Sequence, residues 1–299
     1  MQRQNECVSQ SSMDRLKLLR LGTSSFSEQD WIGPFYPKGT KPSEFLRYYA
    51  TRFNAVEIDA TYYTIPRAAN VKNWADSTPE GFLFSAKFPR SIVHGSDNSR
   101  PDPSKILLPQ KTYADRDKFI ETIDLLGPKL GPLVLQFPYF STAVFKSANE
   151  FIERLERFLS DLPSGHRFAV EIRNRNWLIP TFADLLREHN TALVLVDQAW
   201  MPHGDEVTER FNPITSDFAY IRLLGDRKEI EAITSHWDKI VIDREERLQR
   251  WATLSSEFIL KGFETMIFGN NHYAGFAPST IERLLQMIDS QLAGSDRKI

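Results

Sequence analysis

The sequence predicts an α/β protein, a (β/α)8 TIM-like barrel in a single domain. Three observations predict it. Eight short apolar runs recur along the 299 residues, almost every one followed by a helical period. The runs are apolar nearly throughout, as strands of a parallel sheet covered by helices are. Eight such units fit a closed barrel of roughly 250–300 residues. The competing layout, an open doubly wound sheet, usually carries a Gly-rich dinucleotide loop after its first strand. Gly22-Thr23-Ser24-Ser25-Phe26 is not that loop. No domain boundary and no repeat beyond the βα unit is visible.

In chain order, residues 1–15 read as a disordered leader, too polar for a signal peptide, and 16–299 as the barrel domain. Leu16 to Gly22 is the first strand, followed by a loop holding Trp31, Phe35 and Tyr36. Pro42 opens a helix through Phe53, with Phe45, Leu46, Tyr49 and Phe53 on one face. Ala55 to Asp59 is the second strand, and a short helix around Ala68 to Ser77 follows. Phe82 to Lys87 is the third strand, with His94 in the loop behind it. Gly95 to Tyr113, rich in Ser, Asp and Pro, reads as a loop insertion before a helix from about Ala114 to Leu126. Leu133 to Gln136 is the fourth strand, stopped by Pro138. Ser147 and Glu150 form a capping box ahead of Phe151, Leu155, Phe158, Leu159 and Leu162 at helical spacing.

The fifth strand opens the stretch Phe168 to Trp177, and Pro180 starts the next helix. Ala192 to Asp197 is the sixth strand. Gln198 to Asp217 shows no helical period, so one crossover helix is expected to be missing or short. Ala219 to Leu224 is the seventh strand, with a helical region, in one or two pieces, from about Lys228 to Lys261. Thr265 to Phe268 is the eighth, followed by Gly269-Asn270-Asn271-His272 and a last helix opened by Pro278.

Composition narrows the function classes. Apolar residues make up 41% and charged residues 25%, the mix of a globular protein. A net charge of −2 and a pI near 6.3 give no electrostatic footprint for nucleic acid. Cys7 is the single cysteine, so neither an internal disulfide framework nor a cysteine zinc cluster is expected, and a reducing, cytoplasmic setting fits. No apolar stretch approaches a membrane span.

The fifth strand ends in charge. Glu171 and Arg173 share one parity, opposed by Val170 and Ile172. A buried strand with an acid and a base on one face needs a reason, because unpaired buried charge is expensive. The same pattern recurs at other strand ends. Glu57 and Asp59 oppose Val56 and Ile58, and Lys87 opposes Phe84 and Ala86. Gln136, Asp197, Arg222 and Asn270 complete the series. If the polar parity faces the barrel axis, these groups converge at the C-terminal mouth, where barrel active sites collect. The bland alternative is a structural plug in which Glu57, Lys87, Glu171 and Arg222 neutralise one another.

Together these segments resemble the domain of unknown function 72 family, the YecE-like TIM-barrel proteins. The resemblance rests on Gly22-Thr23-Ser24 with Trp31-Ile32-Gly33-Pro34-Phe35-Tyr36-Pro37, on Tyr49-Ala50 with Phe53 to Ile58, and on Thr61-Tyr62-Tyr63. It continues through Phe84 to Lys87 with His94, Leu135 to Pro138, Val170 to Arg173 with Trp177, Tyr220 to Leu223, and Asn270 to His272 with Ala277. It implies the barrel and supplies no reaction. Two positions depart from the pattern. A histidine often follows the strand-five arginine, where Asn174 stands here, and Leu224 replaces the histidine of an Arg-Leu-His-Gly stretch.

Three chemistries suit the constellation. Glu57 and Glu171 as paired carboxylates, with Lys87, make a catalytic set of hydrolase or lyase type. Arg173 and Arg222 with Lys87 make a site for a small polar or anionic molecule. A Schiff base at Lys87 is a variant of the second and ranks below a plain charge role there. Gln136, Asp197, Asn270, Asn271, Tyr62, Trp177, Ser24 and His94 are the expected further substrate contacts. A metal centre of Glu57, Glu171, Asp197 and His272, which would suit a metal-dependent sugar-type hydrolase or isomerase, ranks below these, because three cations share the layer, and no metal or cofactor is expected. A non-catalytic binder of an anionic small molecule is the alternative from another class. A membrane partner is not expected, nucleic acid is disfavoured by charge, and the oligomeric state is open.

Overall fold

The computed structural model describes residues 12–96 and 100–296. Residues 1–11 of the expected leader, Cys7 among them, lie outside the described residues. Ser12–Leu16 form a short helix, α1, so the first strand begins at Leu19 rather than Leu16.

Among the described residues there are eight strands: β1 Leu19–Thr23, β2 Ala55–Ile58, β3 Leu83–Lys87, β4 Leu130–Gln136, β5 Phe168–Glu171, β6 Thr191–Asp197, β7 Phe218–Leu223 and β8 Glu264–Gly269. All paired strands are parallel, in the order β1-β8-β7-β6-β5-β4-β3-β2. The helices between them are α2 Phe45–Tyr49, α3 Ala68–Asp76, α4 Arg90–Val93, α5 Pro109–Ile123, α6 Ala148–Ser160, α7 Pro180–Glu188, α8 Gly204–Thr208, α9 Arg227–Glu231, α10 Glu245–Leu260, α11 Asn271–Ala274 and α12 Ala277–Asp296. This is the expected (β/α)8 TIM-like barrel. The crossover after β6 is indeed short, with the five residues of α8 standing in for a full helix.

Local chemistry sets several boundaries. Pro109 sits in the first turn of α5, where its fixed φ suits a helix start, so that helix begins five residues ahead of the expected Ala114. Ser147 caps α6 by accepting from the backbone N–H of Glu150 at 3.3 Å. The Glu150 carboxylate returns to the N–H of Lys146 rather than to that of Ser147.

The edge strands β1 and β2 meet but do not share a backbone ladder. Side chains close this seam. The Asn54 amide mimics a peptide unit: its Oδ1 accepts from the Leu21 N–H at 2.8 Å, and its Nδ2 donates to the Leu19 carbonyl at 2.9 Å. One turn higher, the Tyr49 hydroxyl accepts from the Thr23 N–H at 2.7 Å and donates to the Ala55 carbonyl at 3.2 Å. Gly22 permits the approach, since a Cβ there would lie 1.9 Å from the Ala55 oxygen.

Register fixes which residues face the axis. Glu57 pairs with Ser85, Lys87 with Val134, Gln136 with Glu171, and Arg222 with both Val196 and Phe268. These residues share the inner face, and Val56, Phe84, Leu135, Val170 and Ile221 are buried on the opposite parity. At the N-terminal end of the barrel, Glu264 accepts from Arg20 Nε at 2.8 Å and from Arg167 Nη1 at 2.6 Å. No helix among the described residues is long and apolar enough to cross a membrane.

Candidate functional site

Arg222 is the hub of the mouth. It is placed by β7, which points its Tyr220 and Arg222 side chains to the same face. Its Nε and Nη2 donate to Glu57 Oε1 at 3.0 and 2.7 Å, and its Nη1 donates to Gln136 Oε1 at 2.7 Å and to Glu171 Oε2. The remaining carboxylate oxygens are taken as well. The Tyr220 hydroxyl donates to Glu57 Oε2 at 2.7 Å, and Arg173 Nε donates to Glu171 Oε1 at 3.0 Å. Both glutamate side chains are fully buried and that of Arg222 is 1% exposed.

Above this pair the site opens. Lys87 Nζ lies 3.6 Å from Glu57 Oε1 and 2.5 Å from Asp59 Oδ1. The Asp59 side chain is 34% exposed and borders a cavity of about 290 Å3. Lys87, Gln136, Arg173, Arg222, Asn270 and Tyr62 also line it, together with Tyr63, Gln198, Leu224, Gly225, Arg227 and His272. Asn270 caps α11, its Oδ1 accepting from the backbone N–H of His272 at 3.0 Å.

The environments push the three carboxyl groups apart. Burial alone would raise Glu57, but the charges of Arg222 and Lys87 and the Tyr220 hydroxyl outweigh it and bring its pKa down to about 2. Burial opposes ionisation of Glu171 too, and Arg222, Arg173 and Lys87 reverse it, so Glu171 also titrates below the usual range. For Asp59 burial is again the largest influence. Lys87 opposes it, the neighbouring Glu57 charge adds to it, and the net shift is upward. The exposed third of the side chain, open to cavity water, moderates that rise.

Several expected contacts lie elsewhere. Asp197 does not face the axis. It takes the outer parity of β6 and accepts from Arg247, from Trp251 Nε1 at 2.7 Å and from the Tyr273 hydroxyl at 2.9 Å, tying the strand to α10 and α11. The proposed ligand set of Glu57, Glu171, Asp197 and His272 therefore does not assemble. Among the described residues no group of three or more His, Cys, Asp or Glu side chains is arranged to hold a metal ion. Trp177 stacks on Phe151 with centroids 5.1 Å apart, inside the aromatic cluster behind β4 and β5. His94 is buried at the end of α4, where its Nδ1 lies 3.1 Å from Ser96 Oγ and its carbonyl accepts from the Asp102 N–H at 2.9 Å. Ser24 and Asn271 line an adjoining recess rather than the main cavity, and Asn271 Oδ1 is engaged by Trp31 Nε1 at 3.3 Å and the Ala277 N–H at 3.0 Å.

The two departures from the family pattern also have places. Asn174 exchanges two hydrogen bonds of 2.8 Å with the backbone of Phe140, clamping the β4 loop, while Leu224 borders the cavity.

Sequence reasoning gave Asp59 no role of its own and passed over Tyr220 and Gln198. Asp59 and Tyr220 share the parity of Glu57 and Arg222, so alternation could have brought both to the mouth. Gln198, whose buried Oε1 finds no partner among the described residues, follows β6 with no such signal.

Comparison with known proteins gives a consistent result. The sequence model of a family described as "Protein of unknown function DUF72" matches residues 20–298. The UPF0759 protein YunF of Bacillus subtilis is 22% identical over 287 residues, covering 93% of this chain and 97% of that protein. The UPF0759 protein YecE of Escherichia coli K12 is 30% identical over 129 residues, 43% of this chain and 41% of that protein. The crystal structure of a DUF72 family protein from Thermotoga maritima is 29% identical and superposes with a TM-score of 0.68 over 91% of this chain and 99% of that one.

Proposed function

The chain belongs to the DUF72 family, and on that premise we propose that the barrel mouth is the active site of an enzyme acting on a small polar, anionic molecule. Asp59 is the proton-transferring group. Lys87, Arg173 and Arg222 supply the positive field that draws an anionic substrate, and Arg227 stands at the rim. Glu57 and Glu171 are positioning residues that hold Arg222, Lys87 and Arg173. They do not form the catalytic pair expected from sequence.

One observation carries this reading. Three carboxyl groups share one layer, and the one that borders the cavity is raised while the two sealed ones are lowered. Divergence of this kind separates an acid–base group from fixed charges. Hydrolysis and elimination both require a proton to be given to or taken from a substrate oxygen or carbon, the step that Asp59 beside the anchored cations would serve.

A second reading, a non-catalytic receptor for an anionic small molecule, draws on the saturation of Glu57 and Glu171, which leaves neither free for chemistry. A metabolite panel separates the two. Stabilising compounds are found by thermal shift, and their consumption is then followed with wild type and Asp59→Asn. The enzyme reading expects a compound that wild type consumes and that Asp59→Asn binds without consuming. Consumption by Asp59→Asn at the wild-type rate removes Asp59 from the role. Stabilisers that wild type never consumes favour the receptor.

A further inference from the structure

The main cavity continues past Asp59. A second lobe of about 170 Å3 shares Asp59, Asn270 and His272 with the first and extends toward the ends of β1 and β8. The two lobes differ in charge. Lys87, Arg173, Arg222 and Arg227 line the first, with Asp59 its acid, whereas Glu28 and Asp59 line the second and no Lys or Arg does. An anionic group therefore belongs in the first lobe and is repelled from the second.

The second lobe has its own recognition chemistry. Ser24 lines it, is 2% exposed, and its Oγ finds no hydrogen-bond partner among the described residues. A buried hydroxyl left unpaired is costly, and a ligand hydroxyl is the natural partner. Ser25 adds a hydroxyl, Asn270 adds the amide Nδ2 donor that its capping Oδ1 leaves over, and Glu28 adds an acceptor. That mixture matches hydroxyls, which donate and accept, better than an ammonium, which only donates. Trp237 is one of the aromatic residues that line the lobe. It is half-buried, its ring centroid lies 4.8 Å from that of His272, and its backbone N–H is fixed by Asp30 Oδ2 at 2.9 Å.

We propose that the ligand of this site is an anionic sugar derivative, a sugar phosphate or sugar acid, with its charged group in the cationic lobe and its hydroxylated ring in the second lobe against Trp237. The inference rests on the reading of the mouth as the working site. It places the bond or proton acted upon at the junction, beside Asp59.

Isothermal titration of the full chain tests it. The probes are inorganic phosphate, neutral glucose, free amino acids, and a panel of pentose and hexose monophosphates and sugar acids. Wild type is expected to bind at least one panel member about tenfold or more tighter than phosphate or glucose, a margin of the size an aromatic platform with one added hydrogen bond supplies. Trp237→Ala and Ser24→Ala are expected each to shrink that margin while leaving phosphate binding unchanged, and Lys87→Met to weaken both. A margin that survives both second-lobe variants overturns the proposal and leaves the mouth reading standing. So does a panel in which no member exceeds phosphate, or an amino acid that binds more tightly than every sugar derivative. If phosphate and the whole panel fail to bind wild type, the mouth reading falls with it.

Discussion

Replacing Arg222 with methionine tests the central ion-pair network. The variant keeps most of the side-chain volume and removes the charge that Glu57 and Glu171 share. Removing one partner of a buried pair costs roughly 3–5 kcal/mol, because the other charge is left uncompensated. Two fully buried carboxylates lose their partner here, although Lys87 still faces one and Arg173 the other, so the upper end, about 5 kcal/mol, is expected. For a domain this size about 2 °C of melting temperature accompanies each kcal/mol, which gives a drop on the order of 10 °C. The assay is thermal unfolding followed by circular dichroism at pH 7 and pH 5. With Arg222 gone, burial lifts the glutamates above their unfolded values, so they destabilise the fold at pH 7 and less so as they take up protons at pH 5. The deficit should shrink on acidification, and adding Glu57→Gln and Glu171→Gln to Arg222→Met should restore much of it. A single variant that melts within about 2 °C of wild type at pH 7 would refute the reasoning, since the network would then contribute nothing net.

Other expectations follow from the same geometry. Wild type should lose stability as pH falls from about 4.5 toward about 2, the interval between the ordinary and the folded value of Glu57. A group with a depressed folded pKa stabilises above its unfolded value and loses that contribution as pH falls, here on the order of 3 kcal/mol, readable in acid titrations followed by fluorescence. With Asp59 as the acid, turnover of a substrate found by the panel should decline as pH rises through its raised pKa, and Asp59→Asn should leave no turnover at any pH while still binding. Asp197→Ala leaves Arg247, Trp251 Nε1 and the Tyr273 hydroxyl without their acceptor. It should destabilise by about 2–3 kcal/mol in chemical unfolding while ligand affinity is unchanged. Tyr49→Phe deprives the Thr23 N–H of its acceptor and should cost about 1–3 kcal/mol, measured in the same way.

The fold was legible because eight covered strands leave a strong apolar signal and the helices between them keep their period. The mouth was legible where a strand has one polar and one apolar parity. On β2, β3, β5 and β7 the polar side chains Glu57, Lys87, Glu171 and Arg222 do face the axis, as alternation implies. On β6 alternation does not distinguish the faces, because Val194 and Val196 inside and Leu193 and Leu195 outside are equally apolar. Polarity alone points Asp197 to the axis, and packing against α10 places it on the outer face instead. Trp177 sits in a three-residue 3-10 turn after β5 and His94 at the end of the four-residue α4, elements too short for a period to link sequence to direction. The separation of Asp59 from Glu57 was hidden for another reason. Both are acids of one parity two residues apart, and only the distances to Arg222 and Tyr220 tell a saturated carboxylate from one at the water's edge.

The seam between β1 and β2 carries a consequence for motion. Elsewhere around the sheet a strand can leave only by breaking several peptide hydrogen bonds together. Here the amide protons of Leu21 and Thr23 are held by the tips of Asn54 and Tyr49, and a single rotamer change releases each. Deuterium should enter the barrel wall first at these two amides. Ser24 is the very next residue, so the same flicker would widen or narrow the second lobe, beside the strand that carries Glu57.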